Sequence, residues 1–516
     1  MGTQNLILAI DNGTQSVRAL VFDLQGNIQA KSKVELQPYL QQDPGIAEQQ
    51  GDYFWQQLAL ACQELWQQNP GLKSNLVAVT LTTQRGTLIP VDEAGSPLAP
   101  AILWLDQRQA QGLTPMPWYW RLIFKCIGQH QTIEYFRSKA QVNWWFQNQP
   151  ELWQQCHKFL LLSGFLTHRL CGEFHDSIGS MVGYLPFNYR KLRWCKKYDW
   201  KWHALNILPR HLPKLFRPGE TLGKISPSAA QATGIPEGLP LVAAAADKAC
   251  EVLGSGGTSA NIGCMSYGTT ATINTSLNQY VEPSAFVPPF PSAIPDQFNC
   301  EVMIYRGFWM VSWFKQEFGQ QEVQRAEELE VPPEFLFDDL VNEVAPGSEG
   351  LMLQPYWSPG LKNLEAKGAI IGFGDHHTRA HLYRSILEGL AYALREGKET
   401  LERKQKQLIN QLVVAGGGSQ SDAAMQITAD VFNLPVQRPH TYETSGLGAA
   451  MTAAVGVGLH KDMETARSLM TRPEKIFTPN PANARLYDAL YRRGYLKMYG
   501  RLRPIYLKLR QISTNR

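Results

Sequence analysis

The chain has 516 residues, of which 44% are hydrophobic and 18% are charged. This composition supports packed cores and excludes extensive disorder. Lys and Arg exceed Asp and Glu by only four charges, 49 against 45, so no nucleic-acid partner is predicted. Because a single hydrophobic core stops growing at about 250–300 residues, we expect two domains of ordinary size.

Neither the cysteines nor the apolar segments indicate a secreted or membrane protein. The eight cysteines are scattered without a Cys-x-x-Cys pair, which predicts reduced thiols and no zinc site. The chain passes from Met1 directly into an apolar strand pattern, without the features of an export signal. The most apolar stretch, 239–253, carries three charged residues and is too short to span a bilayer. We expect a cytoplasmic protein with no membrane partner.

The first elements along the chain predict a β-hairpin. Leu6–Ile10 and Val17–Phe22 are apolar, and a polar turn, Asp11-Asn12-Gly13-Thr14, separates them. A helix is predicted next, with Asp52 as its cap and apolar residues at helical spacing: Phe54, Leu58, Cys62 and Leu65. Leu76–Leu81 then indicates a strand, so the architecture begins as α/β.

A similar pattern returns in the second half of the chain. Ile262 precedes Gly268-Thr269-Thr270, and Ala271–Ile273 follows as a Thr-rich strand. We place a hinge near Gly254-Ser255-Gly256-Gly257, because glycine permits the backbone angles and mobility that a hinge requires. The predicted domains are therefore 1–254 and 255–516.

A third glycine-rich segment follows a long helix. That helix is predicted to start at Thr378 and carries an apolar stripe at Leu382, Ile386, Leu390 and Leu394. Leu412–Ala415 then indicates a buried strand, followed by Gly416-Gly417-Gly418 and a helix with Met425, Ala429 and Phe432. Strand, glycine turn and helix in this order are typical of a nucleotide site.

Each glycine motif has two interpretations. Asn-Gly and Gly-Thr are common in ordinary hairpins, and three glycines can form a simple loop. Alternatively, Gly13 lets backbone amides approach a phosphate, Thr14 donates from its hydroxyl, Asp11 helps to position Mg²⁺, and Arg18 reaches the transferred group. Two Gly-Thr turns in two domains favour polyphosphate binding, and no Walker or dinucleotide motif offers a different explanation.

Several motifs in this order resemble the FGGY family of carbohydrate kinases, and the match covers nearly the whole chain. They include AIDNGTQSVRALVFD, AILWLDQR, SYGTT, SILEGLAYALRE and VAGGGSQSDAAMQITADVFNLPV. The resemblance implies two ribonuclease-H-like, actin-like ATPase domains with a central cleft between them. It also implies that the protein uses ATP and Mg²⁺. From the family, we further expect a homodimer.

The resemblance also implies roles for particular residues. Asp247 corresponds to the general base, although a helix cap is its simpler interpretation. Asp11 is the metal candidate, and Lys248 is expected either to meet an acidic substrate or to point to solvent. The candidates for ATP and phosphate are Gly13, Thr14, Gln15, Arg18, Gly268, Thr269, Thr270, Gly416, Gly417, Gly418 and Ser419. The candidates for substrate are Gln84, Arg85, Trp104, Asp247 and Lys248.

The predicted activity is ATP-dependent phosphorylation of a small sugar, ketose or polyol. Glycerol is disfavoured, since glycerol kinases carry Glu-Thr after the corresponding Gln-Arg and this chain has Gly86-Thr87. Xylulose kinases usually carry Met-His where this chain has Gln84-Arg85. Two alternatives stay open: an actin-like mechanical ATPase, and a sugar-binding regulator derived from a kinase. The regulator should lack the base or the phosphate turns, which are all present here.

Overall fold

The computed structural model describes residues 5–40, 45–284, 287–331, 333–357 and 365–514. The outermost residues of the two predicted domains, 1–4 and 515–516, lie outside this part of the chain. Two large mixed sheets, one in each half of the chain, carry the hydrophobic cores. The predicted α/β class is therefore confirmed.

The first sheet has six strands: β1 (Leu6–Asn12), β2 (Ser16–Phe22), β3 (Ile28–Glu35), β4 (Leu76–Thr83), β5 (Thr221–Lys224) and β6 (Pro240–Ala243). Their order across the sheet is β5-β6-β4-β1-β2-β3. Strand β1 pairs antiparallel with β2 and parallel with β4, which confirms the predicted hairpin and strand. Every residue of β1 is buried, as expected for a strand with both faces covered.

The second sheet has seven strands: β7 (Ile262–Tyr267), β8 (Ala271–Leu277), β9 (Phe290–Pro291), β10 (Phe298–Ile304), β11 (Gln411–Ala415), β12 (Val436–Pro439) and β13 (Pro473–Phe477). Their order is β9-β10-β8-β7-β11-β12-β13. Strand β7 pairs antiparallel with β8 and parallel with β11. The arrangement around β1 is thus repeated around β7, and each hairpin carries one of the two Gly-Thr turns.

Six helices position the candidate site: α1 (Gly51–Gln68), α2 (Asp247–Gly254), α3 (Trp309–Phe318), α4 (Arg379–Gln405), α5 (Asp422–Phe432) and α6 (Thr444–Gly456). The predicted cap of α1 is wrong, because Gln50 precedes the helix and Asp52 lies in its first turn. There the carboxylate still faces the positive end of the helix dipole. Helix α4 begins after Thr378 as predicted, and its apolar stripe is buried.

Smaller elements surround this framework. A four-stranded sheet contains Glu48–Gln49, Ala101–Ile102, Leu88–Val91 and Lys158–Leu161, and three two-stranded sheets pair Phe187–Asn188 with Arg193–Trp194, Lys214–Phe216 with His175–Ser177, and Met352–Gln354 with Ala369–Ile371. The further α-helices are Trp118–Cys126, His130–Lys139, Gln141–Asn148, Pro150–Gln155, Leu162–Cys171, Lys201–Ala204, Pro227–Thr233, Gln320–Leu329, Pro333–Asn342, Met463–Met470, Pro481–Leu490 and Leu496–Thr514.

Helix α6 comes from the second half of the chain but packs on the first sheet. Its apolar residues share a core with Ile7, Ala9 and Leu20 of that sheet. It also meets α2 backbone to backbone: a Cβ on Gly254 would lie 2.0 Å from the Thr444 carbonyl oxygen, and one on Gly448 would lie 1.9 Å from that of Cys250. Glycine is therefore required at both positions for the helices to approach.

The packing of α6 against α2 gives Gly254 a role different from that of a hinge residue. Gly256 has a φ of +86°, as a glycine turn requires, but Gly254 serves close packing and not mobility. All strands of the first sheet precede Gly254 and all strands of the second follow it. The division between residues 254 and 255 remains our proposal for the domain boundary. Helix α6 belongs to the second half of the chain by sequence but packs on the first sheet.

Two whole-chain expectations can be compared with the structure. All eight cysteines are free, as predicted for reduced thiols. Among the helices of the described ranges, none combines the length and the apolar character that crossing a membrane requires.

Candidate active site

The first Gly-Thr turn closes the β1–β2 hairpin. The Gly13 amide donates to the Ser16 carbonyl (3.0 Å), and Arg18 Nη1 donates to Asp11 Oδ2 (3.2 Å) across the paired strands. Burial raises the pKa of Asp11 to about 7; Arg18 opposes the rise, and the charges of Asp247 and Glu443 add to it. Asp11 therefore lies near other carboxylates, and a bound cation would reduce the repulsion between their negative charges.

Thr14 connects this turn to the end of strand β4. Its hydroxyl donates to Gln84 Oε1 (3.1 Å) and accepts from Trp104 Nε1 (3.1 Å). The backbone N–H of Gln84 also donates to the Asn12 carbonyl (2.9 Å). Two predicted substrate residues, Gln84 and Trp104, thus contact the first Gly-Thr turn directly. The turn and the strand end form one unit, and the Thr14 hydroxyl hydrogen already has an acceptor within it.

Gly86 follows Gln84-Arg85 with a φ of +71°, a conformation that side chains rarely adopt. A Cβ at this position would also lie 3.4 Å from Cβ of Trp104. The Gly86 carbonyl accepts from Nε2 of Gln141 (3.0 Å). The local backbone therefore favours glycine at position 86.

Asp247 is the first residue of α2, directly after the apolar segment that follows β6. The helix has Ala246 at its cap position, so the interpretation of Asp247 as a cap is wrong. Burial raises the pKa of Asp247 above its usual range, while the charges of Arg85 and Lys248 lower it. A half-buried carboxylate whose ionised form is favoured by nearby positive charge can accept a proton.

Arg85 and Lys248 both reach across to the second domain. Arg85 Nη2 donates to Glu301 Oε1 of β10 (3.1 Å), and Lys248 Nζ donates to Ser266 Oγ of β7 (2.6 Å) and to Glu251 Oε2 (2.7 Å). The expectation that Lys248 points to solvent is wrong, because these bonds hold its ammonium inside the cleft. The two cations therefore help to join the domains beside Asp247.

The second Gly-Thr turn has different surroundings. Its carbonyls accept hydrogen bonds from the start of α3: Phe308 N donates to Gly268 O (3.1 Å), and Trp309 N donates to Thr269 O (3.4 Å). Thr270 completes the turn before β8. Ser266, whose hydroxyl accepts a hydrogen bond from Lys248, lies two residues before Gly268, so the turn begins close to the helix that carries Asp247.

The three glycines after β11 are not equivalent. Gly416 has a φ of +85°, and a Cβ there would lie 3.0 Å from the Tyr267 backbone. A Cβ on Gly418 would lie 2.4 Å from the Phe308 ring, whereas one on Gly417 meets nothing within 4 Å. Only Gly417 therefore has the open face that a flat adenine would need. The hydroxyl of the buried Ser419 donates to the Gly416 carbonyl (2.7 Å).

Two family models match this chain. The model of the FGGY family of carbohydrate kinases, N-terminal domain, matches residues 6–254, and that of the C-terminal domain matches residues 263–457. The chain belongs to the FGGY family of carbohydrate kinases. This FGGY protein is therefore a phosphotransferase that uses ATP as co-substrate and a small sugar or polyol as acceptor class.

Relatives of this FGGY kinase cover nearly its whole length. It is 33% identical over 492 residues to the uncharacterised sugar kinase YgcE of Escherichia coli K12, covering 95% of this chain and 92% of the relative. It is 28% identical to a xylulose kinase of Lactococcus lactis, covering 94% and 95%. Among solved structures, xylulose kinase of Lactobacillus acidophilus has a TM-score of 0.82 at 21% identity, covering 98% and 100%. The predicted two-domain, actin-like fold is confirmed; the homodimer and the cytoplasmic location stay predictions.

The sequence did not indicate several residues that contact the candidate site. Glu443 accepts from Arg18 Nε (3.4 Å) and Lys31 Nζ (3.2 Å), and both side-chain polar atoms of Asn12 are buried without a partner among the described residues. Glu251 lies one helical turn after Asp247, a spacing that could have indicated it. Glu301 is a carboxylate inside a mostly buried strand, which is an unusual position that needs a partner.

Proposed function

We propose that this kinase transfers the γ-phosphoryl group of ATP to a hydroxyl of a small sugar, ketose or polyol, with Asp247 as the general base. The position of Asp247 is the observation that carries the proposal. It lies half-buried at the start of α2, where the charges of Arg85 and Lys248 act on it, and its own charge contributes to the raised pKa of Asp11. The candidate base is thus close to both the metal candidate and the interdomain cleft.

The step requires little covalent chemistry from the protein. The substrate O–H bond breaks, its proton passes to the Asp247 carboxylate, and the oxygen bonds to the γ-phosphorus as the bond to ADP breaks. Asp247 Oδ1 also accepts a hydrogen bond from the backbone amide of Lys248 (2.7 Å). This bond fixes the carboxylate relative to the helix. Orientation of this kind is what a general base needs in order to act on one particular hydroxyl.

The first turn fits a magnesium ion. Asp11 is a buried carboxylate whose pKa is raised by burial and by nearby Asp247 and Glu443, and the buried Oδ1 of Asn12 has no hydrogen-bond partner in the described part of the chain. In proteins Mg²⁺ usually takes one or two carboxylates together with substrate phosphates and waters. When bound, magnesium supplies positive charge that offsets the charge on the phosphate oxygens. Asp11 would hold it.

Contacts between the domains supply the closure that phosphoryl transfer needs. The Arg85–Glu301 and Lys248–Ser266 bonds join the first domain to the second sheet, and Ser445 Oγ of α6 donates to the Asp247 carbonyl (3.3 Å). Exclusion of water from the cleft protects ATP from hydrolysis when no sugar is present. The family membership sets aside the mechanical ATPase, and an active enzyme is favoured over a regulator because the base and all three glycine motifs are retained.

The test measures ADP release with ATP and Mg²⁺ over a panel of ketoses, pentitols, tetritols, glycerol and sugar acids. We expect sugar-dependent release by the wild type and a loss of roughly 10²- to 10⁴-fold in kcat for Asp247→Asn. The matched control is Asp430→Asn, which changes a buried carboxylate of α5 away from the cleft. If Asp247→Asn keeps wild-type turnover on the sugar that the panel identifies, Asp247 is not the base.

A further inference from the structure

A cavity lies between the two domains beside Asp247. Polar and charged residues from both domains line it: Arg85 and Lys248 from the first, and Asn274, Asn299 and Glu301 from the second. The ring of Phe290 forms another part of the wall, and the Arg85 guanidinium lies 5.0 Å from its centre. A ligand here would meet charged groups, amides and one aromatic face together.

Only one of the two carboxylate oxygens of Glu301 has a hydrogen-bond partner among the described residues of this cavity. Its side chain is only 4% exposed, and its Oε1 accepts from Arg85 Nη2 (3.1 Å). Its Oε2 is buried and has no hydrogen-bond partner among the residues that the structure describes. A buried carboxylate oxygen without a donor is costly, so the site is complete only when a donor is supplied from outside the protein.

The charges around the cavity disfavour a substrate that carries a carboxylate or a phosphate. Lys248 is already paired with Glu251, and Arg85 with Glu301. Asp247 adds a third carboxylate whose charge Arg85 feels. A substrate carboxylate or phosphate would find both cations neutralised and a surplus of negative charge. An uncharged molecule with several hydroxyl groups supplies donors without this repulsion.

We propose that Glu301 is a substrate-binding residue contributed by the second domain, which accepts a hydroxyl hydrogen of an uncharged polyhydroxy substrate at Oε2 while Oε1 holds Arg85. The inference deepens the proposed function and rests on it. It assigns specificity to a position outside the strand end Gln84-Arg85 and outside the segment around Trp104 and Asp247. It also means that one sugar hydroxyl contacts the second domain while another faces Asp247 in the first.

The first test compares Glu301→Gln with the wild type on the sugar that the panel identifies. Gln keeps the shape but presents an amide NH₂ to the cavity if its oxygen remains on Arg85. We expect KM for the sugar to rise roughly 10- to 100-fold, with kcat and KM for ATP within about threefold. Asp296→Asn is the control, since Asp296 also pairs across the domains, with Arg217 (3.4 Å), but is 66% exposed.

The second test separates hydrogen bonding from mere positioning of Arg85. Deoxy analogues of the sugar, each lacking one hydroxyl, are assayed with the wild type and with Glu301→Gln. One analogue should lose as much with the wild type as the Glu301→Gln change does on the full sugar, and the two losses should not multiply when combined. If Glu301 only positions Arg85, every deoxy loss will be as large in the variant as in the wild type, and the inference falls.

Binding measurements keep this outcome distinct from failure of the proposed function. Sugar binding to the full-length wild type and Glu301→Gln is measured by calorimetry, and thermal melting confirms that the variant is folded. If the wild type binds a sugar but phosphorylates none, the proposed function fails, while the affinity ratio still tests Glu301. An affinity ratio near one, or tightest binding of a sugar acid, overturns the inference. If no sugar binds to the wild type, both proposals fall.

Discussion

The two Gly-Thr turns share a backbone pattern but differ in what surrounds them. The first has an acid before it, a cation paired with that acid, and a threonine bonded to Gln84 and Trp104. The second is held mainly through its carbonyls by the amides at the start of α3. Repeated topology thus provides two similar loops, and side chains give them different chemistry. We infer that the first turn serves metal, phosphate and sugar together, whereas the second serves the nucleotide.

Removing the acid that distinguishes the first turn should have the largest effect. Asp11→Asn removes the carboxylate proposed to hold magnesium, and we expect kcat to fall on the order of 10³-fold, with an increased requirement for magnesium, because charge stabilisation of the phosphates would be lost. Steady-state rates across a magnesium titration measure both quantities. A variant that retains wild-type kcat at every magnesium concentration would remove the basis for treating the two turns differently.

The two halves also differ in how they bury carboxylates. Glu388 of α4 is bonded to Arg384 (2.8 Å), whereas Asp176 in the first half accepts from Ser163 Oγ (2.9 Å) and the Ser177 amide (2.7 Å). Burial raises the pKa of Asp176 to about 7, although these hydrogen bonds oppose the rise. An acid of raised pKa stays protonated in the folded state after the unfolded state has lost its proton.

The free energy of unfolding should therefore fall as the pH rises from about 4 to about 7, by at most roughly 4 kcal/mol for Asp176. Asp176→Asn should flatten this part of the profile, which chemical denaturation at a series of pH values measures. Asp430→Asn leaves Asp176 intact and should keep the wild-type slope. An unchanged slope in Asp176→Asn would show that this carboxyl is ionised in the folded protein.

The glycines after β11 offer a comparison within the second half. Gly416→Ala should destabilise the protein by about 1–3 kcal/mol, because it combines positive φ with close approach to Tyr267. Gly417→Ala should keep the wild-type melting temperature but raise KM for ATP, since its Cβ would occupy the open face. Melting curves and ATP titrations distinguish these effects. Equal KM for ATP in Gly417→Ala and wild type would argue against adenine binding at Gly417.

The smallest effects should come from the two threonines. Thr14→Val breaks the bonds to Gln84 and Trp104, and we expect about a tenfold loss in kcat/KM for both sugar and ATP. Thr269→Val should cost a similar factor or less for ATP alone. The measurement is a full two-substrate kinetic analysis of each variant. If both variants affect the same substrate equally, the two turns are functionally equivalent after all.

Local patterns carried most of the fold. Hairpins, the long helix α4 and the strand, turn and helix around Gly416 depend on near neighbours in sequence, so periodicity and turn residues were sufficient to predict them. The start of α1 was misplaced, since a polar residue near a helix start can lie at the cap or within the first turn. Chain length and the repeated Gly-Thr pattern predicted the two-domain organisation, and the motif resemblance supplied the candidate base and the fold of each domain.

What the sequence did not predict depends on contacts between distant residues. The direction of Lys248 is set by Ser266 and Glu251, and the role of Gly254 is set by α6, almost 200 residues later. Glu301 could not be connected with Arg85 without knowing that β10 faces the end of β4. Side-chain partners across a domain interface are fixed by tertiary structure, and no local pattern specifies them.

The packing of α6 on the first sheet has a consequence for synthesis of the protein. The face formed by Ile7, Ala9 and Leu20 is buried partly by residues 444–456. While the ribosome is still making the second half, this apolar face has no permanent cover. The first domain therefore reaches its final form only after nearly nine-tenths of the chain has been translated, and a fragment that stops at Gly254 would present this surface to chaperones or to other nascent chains.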